Sequence, residues 1–107
     1  MKAKKKYKNK YASKISDLNN SVFVPDGTLD FHDFGVLNRF DIGKVLSEFI
    51  EDTYVKGLKR VLIIVGKGQV VRPEVEKLLK INTYVESFKR AGYFNGQEGA
   101  FEVTLNN

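Results

Sequence analysis

The sequence predicts an α/β fold, a two-layer βαβαββ sandwich with a mixed, mostly four-stranded sheet and two helices on it. Three observations carry that expectation. Residues 42–53 repeat their apolar side chains at helical spacing, Val61-Leu62-Ile63-Ile64-Val65 is an unbroken aliphatic run of strand length, and residues 100–105 alternate apolar and polar. Helical and extended periods that take turns along a chain build parallel strands joined by right-handed crossovers.

Each element has its own signal. Val22-Phe23-Val24 is a short apolar run suited to an extra edge strand, and Pro25-Asp26-Gly27 reads as a turn, with proline setting φ and glycine permitting a positive φ. A strand is expected at 28–32 and a loop at 33–37. Asn38 or Asp41 can then cap a helix that carries Ile42, Val45, Leu46, Phe49, Ile50 and Thr53 on one stripe and ends near Lys56, before Gly57 at C′. The run at 61–65, lacking alternation, is expected to be a central strand flanked on both faces. A second helix starts near Arg72-Pro73 and turns Val75, Leu78 and Leu79 inward, a third strand is expected at 84–89, and Asn95 to Gly99 reads as a turn. In the last strand Phe101, Val103 and Leu105 alternate with Glu102 and Thr104, the pattern of a sheet with one wet face.

Composition narrows the function classes. With 107 residues and 42% hydrophobic content the chain can bury one core. No run reaches the roughly 18 to 20 apolar residues of a membrane span, and the lysine-rich start has no apolar segment behind it, so a cytoplasmic, membrane-free protein is the expectation, with its oligomeric state open and a monomer the default. The absence of cysteine removes disulfides and thiolate metal sites. The net charge of +5 is unevenly placed: residues 1–14 hold seven lysines and no acid, and the other 93 hold 11 basic and 13 acidic residues, a net of −2. Residues 1–20 are therefore read as a basic, disordered tail and 21–107 as the domain. Lys4, Lys5, Lys6, Lys8 and Lys10 can neutralise phosphates while Tyr7 and Tyr11 stack on exposed bases; a tail that only aids solubility is the alternative.

Two segments carry chemistry. In Leu29-Asp30-Phe31-His32 the only histidine stands two residues after a carboxylate, and on a strand both would project to one face. Gly66-Lys67-Gly68 leaves a strand toward a helix start, where backbone N–H groups, the helix dipole and an ammonium suit a phosphate; a plain turn needing small residues explains it equally well. Both segments follow parallel strands and so reach the same edge of the sheet, the usual ligand position in open α/β sheets.

Taken together, these segments resemble the Smr (small MutS-related) domain family from about Thr28 to Leu105. The family's LDxH appears as Leu29 to His32, its HGxG as Val65 to Gly68, its following LR as Val71-Arg72, and its glycine-rich turn before the last strand as Gly96 to Ala100. The chain looks like the short, stand-alone kind. The resemblance implies binding of DNA or RNA and, in some members, metal-dependent nicking or endonucleolytic cleavage. It departs from the family where Val65 replaces a histidine, Asp33 a glycine and Gln97 a glycine.

On that resemblance the expected catalytic residues are Asp30, His32 and Lys67. Asp30 would orient His32, which would take a proton from water or a ribose hydroxyl. Gly66, Lys67, Gly68 and Arg72 would hold phosphate, and Asp30 with Asp33 could hold a divalent Mg or Mn ion. For Arg72 an ion pair with Glu74 or Glu76 is the competing explanation, and for Lys89 and Arg90 a solvated turn rather than a basic rim. Cleavage, binding without cleavage, and a protein-interaction role all stay open.

Overall fold

The computed structural model describes residues 23–92, 95–96 and 99–107. Its elements are β1 (Gly27–Asp30), a 3-10 turn (Phe31–Phe34), α1 (Arg39–Val55), β2 (Arg60–Ile64), α2 (Val71–Ile81), β3 (Val85–Arg90) and β4 (Ala100–Leu105), the βαβαββ order expected from the sequence. They form one four-stranded mixed sheet in the order β1-β2-β4-β3, with β1 parallel to β2 and β4 antiparallel to both its neighbours.

The register brings several ends together. Asp30 pairs with Ile64 and Ile64 with Ala100, so β1 and β2 end where β4 begins, and Arg90 at the end of β3 pairs nearby with Phe101. Both helices follow β1 and β2, so their first turns start at this same upper edge.

Alternation decides which face the helices cover. Leu29, Val61, Ile63, Val65, Phe101, Val103 and Leu105 join Ile42, Leu46 and Ile50 of α1 and Val75 and Leu79 of α2 in one core. Ile42, Ile50, Ile63, Val75 and Val103 are 0% exposed, so truncating any of the isoleucines to alanine should cost about 2–5 kcal/mol. Asn38, not Asp41, caps α1: its Oδ1 accepts the Asp41 N–H at 2.8 Å. Gly57 ends the helix at φ 82°, as its C′ placement requires.

Four expectations need correction. The first strand stops at Asp30, because the Asp30 side chain accepts the His32 N–H and winds residues 31–34 into a 3-10 turn. Phe23 and Val24 belong to no strand, and Val22 lies outside the described residues. Gly27 does not use a positive φ; it is a strand residue whose Cβ would come within 3.1 Å of the Leu58 side chain. The last strand is not wet on one face at Glu102, which is only 4% exposed, because β4 is central and the chain after β3 lies over it. The Gly92 N–H and the Asn95 Nδ2 donate to Glu102 Oε2 at 2.8 and 3.0 Å, and Asn95 Nδ2 also donates to the Phe23 carbonyl at 2.7 Å. Leu62, Ala91 and Ala100 bury a small second cluster on that side, so β2 is flanked on both faces as expected. The tail lysines Lys4, Lys5, Lys6, Lys8 and Lys10 lie outside the described residues.

Candidate functional site

Three glycine or histidine segments meet at the upper edge. The His32 side chain is 66% exposed and its Nδ1 lies 2.8 Å from Asp30 Oδ1, the same oxygen that takes the His32 backbone N–H at 2.9 Å. Asp30 and His32 are thus paired, though by a capped turn rather than by strand geometry. A carboxylate only accepts, so Nδ1 carries the proton in this contact, and in a neutral imidazole the lone pair is then on Nε2.

That Nε2 faces Gly66. A Cβ placed on Gly66 would come 2.9 Å from Nε2, and φ at Gly66 is +74°, so the backbone favours glycine here and any side chain would push the imidazole aside. Gly66 is held from its other side by the segment entering β4, where the Gly99 carbonyl accepts the N–H groups of Val65 at 2.8 Å and Gly66 at 3.0 Å. A Cβ on Gly99 would lie 3.7 Å from Gly66 Cα. The ladder His32, Gly66, Gly99 therefore stacks across β1, β2 and β4. Glu102 Oε2 holds Gly92 and Asn95, on the chain that leads from β3 toward Gly99.

The expected phosphate cradle changes in one respect. The Gly66 N–H is spent on Gly99, so it is not free for an anion, and Gly66 acts instead by letting His32 approach. Gly68 has open space around it and no strained φ, and Lys67 is exposed with no ion pair among the described residues. The first turn of α2 begins at Val70 without a side-chain cap, and Arg72, half-buried, is likewise unpaired among them. Glu74 does not neutralise Arg72; it pairs with Arg39 at 3.7 Å and Lys77 at 3.3 Å. Lys89 is no free rim cation either, since its Nζ lies 3.9 Å from Glu102 Oε1.

Val65 is 5% exposed within the main core, continuing the inward line of Val61 and Ile63. The position where much of the family has a histidine is therefore a core position in this chain. Among the described residues no three histidine or acidic side chains gather at metal-ligand spacing; Asp30 and Asp33 offer two carboxylates, one of which already holds His32. That set does not make a protein cage for a hard divalent ion.

The motif pattern and the fold now coincide with a match to the Smr domain family over residues 29–106. The chain belongs to the Smr domain family. Among similar proteins, Endonuclease MutS2 of Caldicellulosiruptor bescii is 36% identical over 61 residues, covering 56% of this chain and 8% of that protein. Endonuclease MutS2 of Clostridium botulinum strain Eklund 17B is 30% identical over 86 residues, covering 72% of this chain and 11% of that one. The Smr chain thus spans about a tenth of these relatives. The crystal structure of the Smr domain of Thermus thermophilus MutS2 superposes with a TM-score of 0.65 at 25% identity, covering 78% of this chain and 100% of that chain. YdaL, a stand-alone small MutS-related protein from Escherichia coli, shares the fold with a TM-score of 0.68 at 23% identity, over 96% of this chain and 81% of its own. Among the described residues no helix of this Smr domain is long and apolar enough to cross a membrane.

Sequence reasoning missed two contributors, Gly99 and Glu102. Gly99 sits in a glycine-rich turn already matched to the family, but its contact with Gly66 is visible only once β4 lies beside β2. Glu102 reads as a solvent-facing residue of an alternating strand, and nothing local marks it as buried.

Proposed function

We propose that this Smr domain binds DNA or RNA at the upper edge, with the phosphodiester backbone against His32, Lys67 and the start of α2, and that the Asp30–His32 pair can promote cleavage. The observation that carries this reading is the Asp30 to His32 Nδ1 contact at 2.8 Å, which leaves Nε2 free above Gly66 at an exposed edge. In the proposed reaction Nε2 takes a proton from an attacking water or ribose hydroxyl as its oxygen bonds to phosphorus. The P–O bond to the leaving oxygen breaks, that oxygen takes a proton from the imidazolium or from water, and Asp30 holds the imidazole and balances its positive charge. The Lys67 ammonium then meets the charge that develops on the phosphate, with Gly68 and Arg72 flanking it. The tail lysines Lys4, Lys5, Lys6, Lys8 and Lys10 add sequence-independent phosphate contacts. A Mg or Mn ion at Asp30 and Asp33 would need phosphate and water oxygens for most of its ligands, and no step here passes through it. The likeness to proteins named Endonuclease MutS2 supports the reading without assigning their activity to this chain.

One observation favours a second reading, binding without cleavage: Val65 is in the core, so His32 has no second imidazole beside it. The two readings separate on incubation of wild type, His32→Ala and Lys67→Ala with labelled RNA, duplex DNA and supercoiled plasmid, each with Mg²⁺, Mn²⁺ or chelator. Cleavage by wild type that His32→Ala lacks supports the catalytic pair. Equal cleavage by both, after contaminant controls, removes it, and binding with no product supports the second reading.

A further inference from the structure

The upper edge carries apolar surface that the core uses only in part. Phe34, at the end of the 3-10 turn that holds His32, is 47% exposed, with its ring centroid 6.2 Å from that of the core residue Phe31, and Phe40, in the first turn of α1, is 78% exposed. Val36, between them, is fully exposed, and Val70, which precedes α2, is 47% exposed. Scattered apolar residues on a surface are ordinary, but these four all lie in the segments that leave β1 and β2 at one edge. The Arg39 to Glu74 pair ties the first turns of α1 and α2 together, so the Phe40 and Val70 segments are neighbours in space.

The charge at this edge is mixed. Arg39, Lys67, Arg72 and Arg90 are set against Asp30, Asp33, Asp41 and Glu74, and residues 15–107 as a whole carry a net charge of −2. Phosphate attraction alone is therefore weak at the edge itself, and a duplex, which presents backbone and hides its bases, would find little else to hold. Unpaired bases offer π faces that exposed phenylalanine rings can stack on, at about 1–3 kcal/mol per base.

From this placement we infer that Phe34 and Phe40 are base-stacking platforms, so that the edge selects single-stranded RNA or DNA, or unpaired loops, over continuous duplex. This rests on the proposed nucleic-acid reading of the same edge and names its substrate class. Lys67 and Arg72 would take the phosphates between the stacked bases, close to His32.

The test is equilibrium binding of the full chain to a labelled unstructured RNA, a DNA of the same sequence, and the matching duplexes, at several salt concentrations. The variants are Phe34→Ala, Phe40→Ala, Phe40→Leu and Phe40→Trp, with thermal melts to show that these exposed positions leave the fold intact. Each alanine should weaken single-strand binding about fivefold or more, the equivalent of about 1 kcal/mol, and change duplex binding less than twofold. The salt slope should stay at its wild-type value, Phe40→Leu should lose affinity like alanine, and Phe40→Trp should keep it. RNA and DNA strands with equal losses indicate stacking alone; a larger loss on RNA adds 2′-hydroxyl contact to the same platform. Unchanged single-strand affinity in both alanine variants, equal losses on duplex and single strand, or leucine acting as well as phenylalanine would overturn the stacking role while leaving the binding reading in place. A wild-type chain that binds none of the four nucleic acids overturns both.

Discussion

Gly66→Ala is the substitution that most sharply distinguishes the geometry described above from an ordinary turn. Alanine at φ +74° pays the left-handed penalty of about 1–2 kcal/mol, and its methyl would stand 2.9 Å from His32 Nε2. Backbone on that side is held by the Gly99 carbonyl, so the imidazole is what moves. The ring is 66% exposed, so swinging it into water costs little beyond its contact with Asp30, worth under about 1 kcal/mol at that exposure. The stability loss should then be about 1–3 kcal/mol, which in a domain of this size lowers the melting temperature by roughly 4–8 °C per kcal/mol. Gly68→Ala, with open space and no strained φ, should stay within about 0.5 kcal/mol of wild type. Melting curves measure both, and because the chain has one histidine, the imidazole signals in a ¹H–¹³C spectrum report the ring directly. Those signals should shift in Gly66→Ala and stay in place in Gly68→Ala. Equal melting temperatures for the two variants, or an unmoved His32 signal in Gly66→Ala, would refute the reasoning.

Three further outcomes follow from the same geometry. Glu102→Leu leaves the Gly92 N–H and the Asn95 amide without their buried acceptor and should cost about 2–3 kcal/mol in urea denaturation, whereas Lys89→Ala, at 3.9 Å and exposed, should cost no more than about 0.5. Val65→His, which restores the family residue, should destabilise the fold by about 2 kcal/mol or more in the same measurement, since it puts an imidazole into the main core. Deleting residues 1–14 should flatten the salt dependence of nucleic-acid binding, because it removes seven lysines and leaves a chain of net charge −2; an unchanged slope would show that the tail makes no phosphate contacts.

The elements that proved legible in the sequence are those with a strong local signal. The stripe from Ile42 to Thr53, the aliphatic run of β2 and the glycine at C′ each state their structure within a few residues, and the fold follows from their order. Asp30 and His32 were legible as a pair, but the reason was not. The sequence period suggests a strand, while a side-chain hydrogen bond from Asp30 to the His32 N–H winds a turn instead, a local bond overriding a weak extended preference. Gly66 reads as a phosphate donor until β4 is laid beside β2, when its N–H proves to belong to Gly99. Glu102 and Val65 show the same limit in opposite directions. A polar residue in an alternating strand is buried because the chain just before that strand folds over it, and a position marked by the family as chemical is buried because it continues a core-facing line. Such facts are set by tertiary packing, which no residue period states.

The upper edge, where His32, Gly66 and Gly99 meet, is the proposed nucleic-acid surface. The direct measurement is a titration of ¹⁵N-labelled full chain with a short unstructured RNA and with duplex DNA, followed by backbone amide shifts. The largest changes are expected at residues 30–34, 66–72 and 99, with the outer face of α1 around Glu48, Glu51 and Val55 unmoved. Changes confined to that outer face or to the groove between the helices at Leu78 and Asn82, with the edge silent, would contradict it.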